Sequence, residues 1–131
     1  MTFSTNAGSS WTTSVLGSGG NHRTTPVIIN STTWMAVVDD GSIWYTTNTG
    51  STWTQISAGT TGFGTGAGIQ AAAIDSNGRV ALAGQNSALT AGQVGYMTSP
   101  PSGAVTLVTA PFASGVNFYT AIAASASDYW L

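Results

Sequence analysis

The chain has 131 residues, with two Arg, four Asp, no Lys, no Glu and no Cys, a formal net charge of −2 and only 5% charged residues. Ordinary globular domains carry about a quarter charged residues, so solubility here must rest on hydroxyls and amides, and Ser and Thr together supply 37 positions. Two cations cannot track a phosphate backbone or form a polybasic membrane surface, which excludes nucleic-acid and membrane partners.

No apolar run approaches the ~18 residues of a membrane span. The length fits one compact domain, 1–131. The absence of Cys excludes a disulfide framework and thiolate chemistry. The opening "MTFSTNAGSS" has neither a basic nor an apolar signal region, so no signal peptide is expected. The hydroxyl-rich, low-charge composition favours an extracellular, surface or virion setting over the cytoplasm.

Along the chain, short segments rich in Val, Ile, Thr, Trp and Tyr alternate with Gly, Pro, Asn and Ser/Thr-Gly breakers, and helical periodicity is absent. Twelve strands are predicted. The first two are "TFS" and "SWTTSVL"; then come "TTPVIIN", "TWMAVVD", "SIWYTT" and "STWTQIS". A second set of four follows in "IQAAAID", "RVALAGQ", "QVGYMTS" and "AVTLVTA", and the last two are "FYTAIAA" and "DYWL".

One phrase occurs twice: "STNAGSSW" at Ser4–Trp11 and "TTNTGSTW" at Thr46–Trp53. It reads as a hairpin turn. The side-chain oxygens of Asn6 and Asn48 accept turn N–H groups, Gly8 and Gly50 supply a positive φ, and Trp11 and Trp53 fold across the hairpin base. A third copy, "SPPSGAVT" at Ser99–Thr106, has lost the Asn and the Trp. A second repeat aligns "INSTTWMAV" with "IDSNGRVAL", pairing Trp34 with Arg79 and continuing to Tyr129. Together these give units of about 45 residues and four strands, the size of a propeller blade.

The duplicated phrase resembles the Asp-box (BNR-type) β-propellers, a family that includes sialidases and many non-catalytic binding proteins, with Asn here replacing the family's Asp. The resemblance implies an all-β propeller of four-stranded antiparallel blades in which the box is a structural turn away from the active face. It divides the chain into 1–16 (third and fourth strands of a split blade), 24–57 (a blade), 69–110 (a blade) and 118–131 (first and second strands of the split blade). Three blade equivalents cannot close a ring, so two chains are expected to close six blades as a homo-oligomer, most simply a dimer. The bland alternative is a fragment of a longer or engineered repeat.

Catalytic chemistry finds little to work with. The family's glycosidases resemble one another in an Arg set and a Tyr/Glu pair, and this chain has no Glu. Paired-carboxylate hydrolysis would have to use Asp39 and Asp40 in "VVDDGSIW", but Asp-Gly is a hairpin signal. The single His22 has no second His or Cys to share a metal, so neither a metal nor a cofactor is expected. The "NST" at Asn30–Thr32 matches a glycosylation sequon, yet it falls in a predicted tight turn. Loops joining blades and joining second to third strands should share one face, carrying His22, Arg23, Asp39, Asp40, Phe63, Gln85, Asn86 and Asn117. The expected role is a non-enzymatic structural or interaction protein. The alternatives are a carbohydrate-binding lectin, with sites on that face or between blades, and a partial sialidase-type relative.

Overall fold

The computed structural model describes residues 1–17, 22–65, 68–86, 88, 90–108, 123–125 and 129–130. Twelve strands follow in order, each overlapping a predicted segment. A hairpin pairs β1 (Thr2–Phe3) with β2 (Thr12–Thr13). The first four-stranded sheet runs β3 (Thr24–Ile28), β4 (Trp34–Val38), β5 (Ile43–Thr46) and β6 (Thr54–Ile56). The second runs β7 (Ile69–Ile74), β8 (Val80–Gln85), β9 (Gly92–Met97) and β10 (Thr106–Val108). A last hairpin pairs β11 (Ala123–Ala124) with β12 (Tyr129–Trp130). All pairings are antiparallel between chain neighbours, as short Gly- and Asn-bearing turns require.

Two features depart from the sequence reading. The loop after β6 holds one helical turn, α1 (Ala58–Thr61), closed by Gly62 at φ +77°. Thr61 on that turn is buried and donates to the Gly41 carbonyl at 2.6 Å. The repeat also shifts by one residue. Trp34 stands opposite Ile28 and Val80 opposite Ile74, so Val80, not Arg79, is the counterpart of Trp34. Side chains alternate faces along a strand, and a slip of one would turn every apolar residue of β8 to the wrong side.

That alternation builds the core. On the first sheet Val27, Met35, Val37 and Ile43 point one way, and on the second sheet Ile69, Val80, Leu82 and Met97 meet them. Phe63, from the loop after α1, closes this cluster and is only 1% exposed. The reverse face of the first sheet, through Ala36 and Val38, packs on Leu16, Met1 and Trp53. Phe3 of the hairpin lies edge-on to Trp34, with centroids 5.2 Å apart. The reverse face of the second sheet carries Ala71 and Ala83, and β11 lies alongside β7. The order in space is therefore hairpin β1–β2, first sheet, second sheet, hairpin β11–β12. Every residue of β4 and β8 is buried, whereas β10 is exposed throughout.

Backbone stitches the two sheets at one end. The Gly68 N–H donates to the Asp39 carbonyl, the Gln85 N–H to the Gly68 carbonyl, and the Gly64 N–H to the Gln85 carbonyl, at 2.8, 2.8 and 3.0 Å. A Cβ on Gly84 would run into the Gly68 carbonyl group, a backbone contact that cannot swing aside. Gly84→Ala should therefore destabilise the fold by about 3 kcal/mol or more, read as a lowered urea midpoint. An unchanged midpoint would mean the chain crossing is wrongly placed.

Candidate functional site

The duplicated phrase forms the same hydrogen-bond device twice. In the first copy the Asn6 Oδ1 accepts the Ser10 N–H at 2.9 Å, Asn6 Nδ2 donates to Ser10 Oγ at 2.8 Å, and Ser4 Oγ accepts the Gly8 N–H at 2.8 Å. In the second, Asn48 Oδ1 accepts the Thr52 N–H at 2.9 Å, Asn48 Nδ2 donates to Thr52 Oγ1 at 2.9 Å, and Thr46 Oγ1 accepts the Gly50 N–H at 3.0 Å. Each turn is closed by a backbone bond, Ser9 N–H to Asn6 O and Ser51 N–H to Asn48 O. The two central residues have positive φ: Ala7 and Gly8 at 54° and 86°, Thr49 and Gly50 at 57° and 82°. That pair of values marks a type I′ turn, set at the tip of the eight-residue connections between Phe3 and Thr12 and between Tyr45 and Thr54. In the third copy Pro101 offers no amide side chain, and the Gly103 N–H bonds instead to the Ser99 carbonyl.

The two Trp of the phrase differ. Trp53 packs between the hairpin and the first sheet, its ring 6.4 Å from Phe3 in an edge-on arrangement. Trp11 is 66% exposed, because it points away from the only sheet that its hairpin contacts among the described residues.

Three of the loop-face residues converge. His22 Nδ1 lies 2.8 Å from Asp39 Oδ1, and Arg23 Nε lies 3.5 Å from Asp39 Oδ2. The Arg23 side chain remains 82% exposed and borders a cleft of about 330 Å³, with Thr24, Thr25 and Gln70, where β3 and β7 meet. Asp40 lies close by, since a Cβ on Gly17 would meet both the His22 ring and Asp40 Oδ2. Its Oδ1 accepts the Ser42 N–H at 2.9 Å and the Ser42 hydroxyl at 2.5 Å, and Ser42 Oγ accepts the Trp44 indole N–H at 3.1 Å.

The others serve the scaffold. Phe63 is in the core, and Gln85 is buried in the backbone stitch. Asn86 Oδ1 accepts the Thr90 N–H at 2.9 Å, capping the turn before β9. Asn117 lies outside the described residues. The loop face thus presents chiefly His22, Arg23 and Asp39.

Two further features come with the fold. Asp75 has a fully buried side chain whose Oδ1 accepts the Asn77 and Arg79 N–H groups, and Arg79 pairs with its Oδ2 at 2.6 Å. The four-residue spacing from Asp75 to Arg79 across an Asn-Gly turn was the available signal. The second is a pair of clefts between successive sheets. One, of about 480 Å³, lies between Gln55, Ser57 and Thr60 on one side and Ser102 and Gly103 on the other. The other, of about 210 Å³, lies between Phe3, Thr5 and Thr12 and the turn Thr49–Ser51. Both join the last strand of one sheet to the third turn of the next, so the repeat generates them at equivalent places.

The described groups offer hydrogen bonding and packing surfaces. No protein family, curated protein or solved structure matches the chain.

The turn device sets a stability forecast. Asn48→Ala should cost about 1–3 kcal/mol by unpairing turn amides. Gly50→Val should cost more, because φ is +82° and a Cβ would strike the Phe3 ring. Thermal unfolding measures both, and parental melting in both variants would refute the assigned bonds.

Proposed function

We propose that this chain is a non-enzymatic structural or interaction module: an arc of an Asp-box-like propeller that a second copy completes into a ring of six blades. A virion or cell-surface component would suit such a module. The observation that carries this reading is the position of the two half-sheets. Hairpins β1–β2 and β11–β12 have two strands each, flank two four-stranded sheets, and lie at opposite ends of the stack. Among the described residues neither extends the other, and each has an unpaired edge.

The edge of β1 is aimed for pairing. Met1 and Ser14 exchange both backbone bonds, at 2.8 and 2.9 Å. By antiparallel alternation, the N–H and C=O of Thr2 point away from β2, toward the open side. Pairing β1 with β12 of the next copy makes a four-stranded sheet with the same chain-neighbour order as the other two.

A second reading, carbohydrate binding, is favoured by the two clefts, whose uncharged lining sets hydroxyls and an amide beside Ile56, Ala104 and Val105 in one and hydroxyls beside Phe3 in the other, matching the polar and apolar faces of a sugar ring.

Light scattering on the eluted particle tests the assembly. The expected mass is about twice the 13.2 kDa of one chain. Thr2→Pro removes the outward N–H while sparing the bonds to β2, so it should lower that mass while the far-UV circular dichroism stays parental. A parent of single-chain mass at every concentration would refute the ring, whether the missing strands come from a longer chain or are not needed.

A further inference from the structure

The two contacts that the first sheet makes, with the hairpin before it and the second sheet after it, follow one rule, and Trp11 is the member of that rule left without a neighbour among the described residues. Strand register defines equivalent places. Phe3 stands opposite Thr12, Tyr45 opposite Thr54, and Tyr96 opposite Thr106. The residues just before those threonines are Trp11, Trp53 and Val105.

Because faces alternate along a strand, each residue of this second set points backward, toward the preceding sheet. Each aromatic of the first set points forward, toward the following sheet. The inner contacts obey this. Trp53 of the first sheet meets Phe3 of the hairpin before it. Val105 of the second sheet packs on the cluster that Tyr45 of the first sheet borders.

Trp11 points backward from the hairpin, where no sheet lies among the described residues, and is 66% exposed. Tyr96 is its complement at the other end. It stands opposite Ala81, between Val80 and Leu82, whose side chains face the core, so Tyr96 looks forward from the second sheet.

We infer that Trp11 of one copy docks against Tyr96 of a second copy, repeating between molecules the edge-on contact that Trp53 makes with Phe3 within one. This rests on the self-assembly proposed above and adds to it a side-chain contact, separate from the strand edges. The occupant is a second copy because the partner surface that the repeat specifies for Trp11 exists on this same chain. An exposed Trp that becomes buried against a Tyr is also the kind of aromatic pairing in which association energy concentrates.

The test is the association constant of the assembled protein, read by analytical ultracentrifugation over a dilution series. Trp11→Ala and Tyr96→Ala should each weaken association by roughly thirtyfold or more. The double variant should be little worse than either single one, because both remove the same contact. Tyr96→Phe, which keeps the ring, should associate within about threefold of the parent.

Mixing the Trp11→Ala and Tyr96→Ala proteins leaves one intact contact in each mixed pair. The mixture should therefore associate more tightly than either variant alone. Circular dichroism confirms that each variant is folded. If the parent assembles and Trp11→Ala assembles equally well, the contact is wrong and the self-assembly reading stands. If the parent remains a single chain throughout, both are overturned.

Discussion

The whole arrangement depends on burying both faces of every middle strand. β4 and β8 are apolar on each side, with Met35, Val37, Val80 and Leu82 meeting across the sheets and Ala36, Val38, Ala81 and Ala83 turned the other way. An antiparallel sheet commonly leaves one face to water and alternates polar and apolar residues accordingly. These strands do not. Each fully buried Val, Leu or Met side chain contributes roughly 1.5–3 kcal/mol relative to exposure, so a sheet of this kind is stable only with a neighbour on each side. Stacking then becomes a property of the sequence, and the outermost faces become its unsolved problem.

The hydroxyl–Asn–Gly turns answer a different need. With few charges to keep wrong pairings apart, register must be set locally. In each turn one Asn side chain and one hydroxyl satisfy backbone N–H groups that a tight loop would otherwise leave bare. The positive φ at both central residues twists the hairpin in the sense its strands require. The second turn carries more weight than the first, because Gly50 and Thr46 are buried beneath Phe3 while the first turn is exposed. The third turn has lost this device, and its strand β10 is short and exposed.

The few charges are spent on positioning. Asp75 holds a turn together with Arg79, Asp40 fixes Ser42 and through it Trp44, and Asp39 gathers His22 and Arg23 at the loop face. What remains for recognition is mostly uncharged, Arg23 at the loop face apart: exposed Trp11, open strand edges, and clefts between sheets lined by hydroxyl and apolar groups. Such surfaces suit association with another copy or with neutral polar ligands better than they suit steering of a charged one.

The sequence by itself determined the all-β class, the order of twelve strands and the chemistry of the duplicated turn, because each is a local property. Alternation, turn residues and side chain-to-backbone bonds act within about ten residues. Trp34 and Val80 show where that reach ends. Aligning letters paired Trp34 with Arg79, and only the cross-strand register, set by which face must be buried, moved the match by one. Phe63 shows it again. In a Gly-rich loop it read as a surface residue, yet the gap between two sheets, which no local window contains, draws it into the core. His22 and Asp39 meet, and Trp11 stands alone, for the same reason: tertiary packing decides which distant segments share a space, and burial there outweighs any preference written in the neighbouring residues.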